Sequence, residues 1–78
     1  MSKIRIEYCT SWGYVDRAVA LTASLLNKHK NNIDELVIIP SRGGVYEVMV
    51  NDSLLFSKKE LGRFPEEGEV EKLIEDTL

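Results

Sequence analysis

The chain has very few of the residues that build covalent or metal sites: one cysteine, one histidine and one tryptophan among 78 residues. A single cysteine excludes an internal disulfide and is typical of a reducing compartment, so we expect a cytoplasmic protein. One cysteine and one histidine are too few for a dedicated zinc site. The longest apolar run, residues 36–40, is much shorter than the ~20 residues of a membrane-spanning helix, and no signal-peptide pattern opens the chain.

An excess of basic residues is also lacking, since the formal net charge is −3. Nucleic acid is therefore not expected as the partner, because phosphate binding needs a basic face. Residues 1–65 carry nine Lys and Arg against seven Asp and Glu, whereas residues 66–78 carry one Lys against six acids. The later basic residues fall in or beside predicted loops, where they favour anionic ligands: Arg42, Lys58, Lys59 and Arg63.

The first half of the chain predicts a strand followed by a helix. Residues 4–8 alternate apolar with charged side chains, the period of a half-buried strand. Thr10 or Ser11 can supply the side-chain oxygen that caps the next helix. From Tyr14 the apolar period becomes helical. The predicted buried face comprises Val15, Ala18, Val19, Thr22, Leu25 and Leu26.

Residues 36–39 form a continuous apolar run, which is typical of a strand covered on both faces. Pro40 lacks an N–H donor and is expected to end that strand. Residues 45–50 and 53–57 then predict two more strands. The Asn-Asp pair between them suits a tight hairpin turn.

The end of the chain predicts a loop over residues 58–65 and a closing helix. Gly68 is expected to weaken the first turn of that helix, and its apolar stripe comprises Val70, Leu73, Ile74, Thr77 and Leu78. The order β-α-β-β-β-α over residues 1–78 predicts one α/β domain with a four-stranded mixed sheet and two helices. This is a minimal thioredoxin-like core; a ferredoxin-like or unrelated α+β arrangement fits the pattern less well.

Cys9 lies where the first predicted strand ends and the first helix is about to begin. Helix N–H groups and the helix dipole stabilise a thiolate at such a position, and the thiolate is the nucleophilic form. An unpaired cysteine is also a common small buried hydrophobe. Both interpretations, a reactive sulfur and a core side chain, are open at this point.

Four stretches, YCTSWGY, GGVYEVMVN, LLFSKK and GRFP, occur in this order along nearly the whole chain. Together they resemble the selenoprotein W family, the Rdx group of small thioredoxin-like proteins that includes selenoproteins T and H. The resemblance implies a thioredoxin-like fold and a Cys-x-x-Cys or Cys-x-x-selenocysteine site in the first loop. It also implies a role as a glutathione-linked thiol oxidoreductase or a redox-sensing adaptor.

The chain departs from that motif at its second position. Cys9 matches the first cysteine, but Trp12 stands where the family has cysteine or selenocysteine. Two functions are compatible with this departure. One is a monothiol cycle in which Cys9 reacts and external glutathione or a partner thiol resolves the product, with no resident cofactor. The other is a non-catalytic interaction domain, with Trp12 either a packing platform for a partner or a cover over the helix start.

The resemblance also places the loop entering the third strand against the cysteine motif. That loop comprises Ser41, Arg42, Gly43 and Gly44. Its glycines permit close approach of a ligand, and Arg42 can bind a carboxylate or stabilise the Cys9 thiolate; the alternative is a simple turn with a solvated arginine. Phe64 is either an exposed rim for protein contact or a plug between helix and sheet. The oligomeric state stays open, and includes a dimer linked through Cys9.

Overall fold

The computed structural model describes residues 2–11 and 13–78; Met1 and Trp12 lie outside the described residues. The strands are β1 (Lys3–Cys9), β2 (Glu35–Ser41), β3 (Tyr46–Val50) and β4 (Ser53–Ser57). The α-helices are α1 (Tyr14–His29), α2 (Lys58–Leu61) and α3 (Glu69–Thr77), with a short 3-10 helix (Lys30–Asn32) after α1. No helix among the described residues is long and apolar enough to cross a membrane.

The strands form one four-stranded sheet in the order β2-β1-β3-β4. β1 pairs with β2 in parallel and with β3 antiparallel, and β3 pairs antiparallel with β4. The predicted four-stranded mixed sheet is therefore confirmed, and the observed order differs from β-α-β-β-β-α by the short helices after α1 and after β4. The carboxyl ends of β1, β2 and β4 lie at the same end of the sheet, where the loops that follow these strands meet.

The alternation in β1 sets which face of the sheet is buried. Ile4 and Ile6 are 1% and 0% exposed, whereas Arg5 between them is exposed. The helices cover the isoleucine face, because side chains from the sheet, α1 and α3 form one buried cluster. It contains Ile4, Ile6, Ala18, Leu21, Leu25, Tyr46, Val48, Val50, Phe56, Val70 and Ile74.

The buried face of α1 differs from the predicted one. Tyr14, Ala18, Leu21 and Leu25 are buried, whereas three predicted core residues are largely exposed: Val15 at 39%, Val19 at 55% and Leu26 at 46%. The buried face of α1 is therefore rotated about the helix axis relative to the predicted face, and the prediction was wrong. Among the described residues, α3 packs beside the flank of α1 that carries Lys28, which leaves the flank with Val15, Val19 and Leu26 open.

β2 also differs from its prediction. It lies at an edge of the sheet rather than in the interior, and Val37 and Ile38 remain 40% and 37% exposed. The apolar run is therefore not covered on both faces. Pro40 does not end the strand, which continues to Ser41 in register with Cys9. β2 tolerates proline because, among the described residues, no strand of this chain pairs with that side of its backbone.

The remaining turns explain where the later elements begin. The two-residue turn between β3 and β4 is confirmed, with Asn51 at φ 55°. The predicted loop after β4 instead contains α2, because the Ser57 hydroxyl oxygen accepts a hydrogen bond from the Glu60 N–H at 3.1 Å and caps it. Gly68 does not weaken α3, since it is the N-cap at φ 78°, a conformation that suits glycine.

The segment before α3 is held by a bidentate ion pair. The Arg63 guanidinium donates to both Glu69 carboxylate oxygens at 2.8 and 2.9 Å and to the Phe64 carbonyl at 3.0 Å. The Glu66 N–H also donates to Glu69. Because of Arg63 first and this N–H second, the pKa of Glu69 falls from 4.5 to about 2.

This ion pair predicts an acid-dependent loss of stability. The pKa of Glu69 is lower in the folded state, so its stabilisation is complete above pH 4.5 and is lost as the pH falls toward 2. The wild type is expected to exceed Glu69→Gln in free energy of unfolding near neutral pH, with a difference that narrows over that window. Urea titrations at several pH values measure it. Glu67→Gln is the matched control, and an equal pH trend in both variants would contradict the assignment.

Candidate thiol site

The site lies at the end of the sheet where the central strand β1 ends in Cys9. The Cys9 N–H donates to the Val45 carbonyl at 2.8 Å, and the next N–H, of Thr10, donates to the Ser41 carbonyl at 3.1 Å. Through these two hydrogen bonds, the end of β1 anchors both ends of the loop between β2 and β3. Residues 10–11 and the loop over residues 42–45 are consequently brought together beside Cys9.

Cys9 is a buried side chain at the end of β1, outside the main packed cluster. Its residue exposure is 2%, yet it is absent from the buried cluster formed by the sheet and the helices. Its sulfur contacts the polar backbone of the two loops. Burial fits a core side chain and the polar loop backbone fits a reactive sulfur, so both interpretations of Cys9 stay predictions.

The surroundings of the sulfur favour the thiolate. The backbone N–H of Ser11 lowers the pKa of Cys9 most; burial raises the pKa but is outweighed. The Gly44 N–H, the Ser11 hydroxyl and the Lys58 charge lower the pKa further. Two N–H donors, one hydroxyl and one ammonium therefore favour a negative charge on the sulfur.

Ser11 acts on the thiol rather than as the predicted helix cap. The N-cap of α1 is Gly13, in the left-handed conformation at φ 78° and without a side-chain cap hydrogen bond. The Ser11 carbonyl accepts a hydrogen bond from the Tyr14 N–H at 3.3 Å, while its own N–H and hydroxyl interact with the Cys9 sulfur. Ser11 thus lowers the pKa of Cys9, and the prediction of a Thr10 or Ser11 cap was wrong.

Lys58 is held beside the site by aromatic rings. It is the first residue of α2, and its Nζ lies 5.8 Å from the Tyr14 ring centroid and 5.5 Å from that of Phe64. Cation–π attraction at such distances restrains an otherwise mobile ammonium group. The position of the charge that acts on Cys9 is therefore set by packing.

Phe64 lies in the seam between helices and sheet. Its ring centroid is 4.6 Å from that of Tyr14 and 5.7 Å from that of Tyr46, in edge-to-face geometry. The Arg17 guanidinium carbon lies 4.1 Å from the Phe64 centroid. Of the two interpretations of Phe64, the plug fits these contacts, although half-burial leaves part of the ring accessible.

Comparison with known proteins identifies the family of this chain. Residues 3–76 match the Rdx family. The chain belongs to the Rdx family. No curated protein matches it. A selenoprotein W-related protein from Vibrio cholerae is similar, with 26% identity, a TM-score of 0.87 and coverage of 97% of this chain and 95% of that chain. A protein from Bordetella parapertussis is also similar, with 28% identity, a TM-score of 0.89 and coverage of 99% and 98%.

These likenesses confirm the resemblance inferred from the four sequence stretches and the α/β, thioredoxin-like fold of this Rdx domain. They place the domain in a redox-related family. Trp12, at the second motif position, lies outside the described residues. Within the described ranges, no three His, Cys, Asp or Glu side chains form a group that could hold a metal ion.

The glycine-rich loop of the Rdx domain lies beside Cys9. Gly43 and Gly44 have φ values of 81° and 72°, which favour glycine. Gly44 is the closer to the site, since its N–H lowers the pKa of Cys9 and a Cβ there would lie 3.6 Å from the Tyr14 hydroxyl. Ser41 ends β2, and Arg42 is exposed. Ligand binding by Arg42 stays a prediction.

Lys58 and the thiol-directed role of Ser11 were missed by the sequence reasoning. The position of Lys58 near Cys9 could have been predicted from the order of the strands. β4 runs parallel to β1 in the predicted sheet, so the residue after Ser57 lies at the same edge as Cys9. No comparable signal existed for Ser11, because its side chain suited a helix cap equally well.

Replacing Lys58 with glutamine is expected to slow alkylation of Cys9 by iodoacetamide near neutral pH. The ammonium lowers the pKa of Cys9, so its loss reduces the thiolate fraction. The pH profile of the alkylation rate should shift to higher pH. Lys59→Gln, at the exposed neighbouring position, is the matched control; a profile of Lys58→Gln that overlays it would contradict the role of Lys58.

Proposed function

We propose that this Rdx domain is a monothiol redox protein in which Cys9 exchanges disulfides with glutathione or a partner thiol. The observation that carries the proposal is the donor set around the sulfur, in which Ser11 and Gly44 N–H groups lower the pKa of Cys9. A structural thiol needs no such donors. A nucleophilic thiol does, because attack proceeds through the thiolate.

The cycle has two exchanges. In the first, the Cys9 thiolate attacks one sulfur of glutathione disulfide, a Cys9–glutathione disulfide forms, and the other glutathione leaves as a thiolate. In the second, a glutathione or partner thiolate attacks the glutathione sulfur of the adduct, and Cys9 leaves as a thiolate. The chain has no second cysteine, so the resolving thiol comes from outside.

The residues around the sulfur have separate roles in this cycle. The donors from Ser11 and Gly44 and the charge of Lys58 stabilise Cys9 both as attacking and as leaving group. Exposed Arg42 supplies a guanidinium suited to a glutathione carboxylate. Gly43 allows the tripeptide backbone to approach the loop, and Trp12 is the packing platform predicted from the sequence.

Glutathione exchange at Cys9 can be measured directly, because the chain has one sulfur that can react. Reduced protein is mixed with glutathione disulfide and the adduct is followed by intact-mass spectrometry, then reversed with reduced glutathione. The matched control is the same chain unfolded in urea. We expect an adduct in the folded chain that glutathione removes. An adduct that forms only in the unfolded chain would overturn the proposal.

A non-catalytic interaction domain is the second candidate. Two observations favour it: Cys9 is only 2% exposed, and Trp12 replaces the second sulfur. Partner binding would use the surface of Trp12, Arg42 and the accessible part of Phe64. The variant Cys9→Ser separates the candidates, because a redox protein loses its function in cells with this change and an interaction domain retains it.

A further inference from the structure

The edge strand β2 is apolar and has a pairing partner on one side only. β1 is its neighbour, and among residues 2–11 and 13–78 no strand lies on its other side. Val37 and Ile38 at its centre are 40% and 37% exposed. Soluble proteins usually protect an edge with a charge, a proline or a bulge. The proline of β2, Pro40, stands near its end, and residues 36–39 carry none of these devices. β4, the opposite edge, has such a register irregularity where it pairs with β3, whereas β2 pairs regularly over its whole length.

The outward hydrogen-bonding groups of β2 can be assigned. The Glu35 N–H donates to Ser2, and the Ser41 carbonyl accepts from Thr10, so these two residues face the β1 side. Backbone groups alternate along a strand in parallel pairing. Leu36, Ile38 and Pro40 therefore direct their backbone groups away from β1. Pro40 has only a carbonyl to offer.

We propose that β2 pairs antiparallel with β2 of a second copy of this chain, around a two-fold axis at Ile38. Each Ile38 then exchanges both backbone hydrogen bonds with its counterpart. Each Leu36 N–H donates to the Pro40 carbonyl of the other copy. Pro40 returns no hydrogen bond to the Leu36 carbonyl, so each outer pair has one hydrogen bond and the central Ile38 pair has two. The two sheets become one continuous sheet of eight strands.

The charges at the two ends of β2 select this partner and this register. β2 begins at exposed Glu35 and ends next to exposed Arg42. Pairing about Ile38 sets Glu35 opposite Ser41 of the other copy, beside its Arg42, and the symmetry repeats the contact. A shift that centres the axis on Val37 instead sets Glu35 opposite apolar Ile39. Of these two registers, the Ile38 register is the one that joins opposite charges at both ends.

Apolar side chains meet on both faces of this pairing. On the face without helices, Val37 of each copy lies opposite Ile39 of the other. On the helix face, the two Ile38 side chains meet beside α1. The flank of α1 that carries Lys28 faces α3, where Lys28 pairs with Glu75 at 2.5 Å. The opposite helix flank, with its exposed Val19 and Leu26, faces the dimer axis and gains cover from the second copy.

Sedimentation velocity across micromolar to millimolar protein, with reductant present to exclude a Cys9 disulfide, tests the proposal. We expect a concentration-dependent dimer that Ile38→Lys abolishes while circular dichroism shows an intact fold. Leu54→Lys is the matched control, since Leu54 is 45% exposed on the other edge strand, and it should dimerise as the wild type does. A monomer at every concentration, or equal dimerisation of Ile38→Lys, would overturn the proposal.

Charge reversal tests the register. Glu35→Arg and Arg42→Glu are each expected to weaken dimerisation by about tenfold, because the symmetry places each change in two charge pairs. The double variant should restore most of the wild-type affinity. Failure of the double variant to recover would overturn the Ile38 register. None of these outcomes depends on Cys9, so the dimer and the redox function stand or fall separately.

Discussion

Replacing Tyr46 with alanine is expected to destabilise the domain by about 3–5 kcal/mol, the usual range for deleting a buried aromatic ring. Tyr46 is 2% exposed, and its ring centroid lies 5.7 Å from that of Phe64 and 6.4 Å from that of Phe56. Since a domain of this size has a total stability of roughly 4–12 kcal/mol, a substantial fraction of the variant should be unfolded. Urea denaturation followed by circular dichroism measures the loss.

The matched control for this prediction is Tyr46→Phe. The Tyr46 hydroxyl donates to the Arg17 carbonyl at 3.5 Å, a long hydrogen bond whose loss should cost at most about 1 kcal/mol. Burial raises the pKa of Tyr46 to about 12, so the hydroxyl stays protonated in the assay. An alanine variant as stable as the phenylalanine variant would mean that the aromatic seam does not support the core.

The second large effect is expected from Ser11→Pro compared with Ser11→Ala. The Ser11 N–H is the largest contribution to the lowered pKa of Cys9, and the hydroxyl is a smaller one. Alanine removes the hydroxyl and keeps the N–H, whereas proline removes both. We expect the proline variant to lose several-fold of the iodoacetamide reactivity of Cys9 at neutral pH, and the alanine variant to lose much less.

The difference between the two variants isolates the backbone donor. Thermal denaturation of both variants shows whether the loop after β1 tolerates proline, and the comparison is made on folded protein. Equal reactivity of the proline and alanine variants at comparable stability would show that the N–H of Ser11 does not stabilise the thiolate. The Gly44 N–H and Lys58 would then be the main donors to the site.

Local patterns in the sequence predicted the elements well, because each rests on chemistry within a few residues. The alternation in β1 placed Ile4 and Ile6 in the core, and Asn51-Asp52 marked the turn between β3 and β4. The order of the elements then fixed the sheet, and with it the position of Cys9 at the edge where the loops meet.

Predictions that depended on neighbouring elements were less accurate. The apolar run of β2 suited a central strand, but the chain has no further strand to cover that edge among its described residues. The apolar side of α1 was wider than the surface available to bury it, so Val19 and Leu26 remained exposed. The role of Ser11 could not be separated from helix capping, because both need a small hydroxyl residue before the helix.

The central claim is that this Rdx domain keeps Cys9 as a stabilised thiolate although the motif has one sulfur. Titration of the thiolate absorbance of the folded wild type, with Cys9→Ser as the blank, tests it most directly. We predict a midpoint below that of the same chain unfolded in urea, because Ser11, Gly44 and Lys58 together lower the pKa of Cys9. A folded-state midpoint at or above that of the unfolded chain would contradict the account.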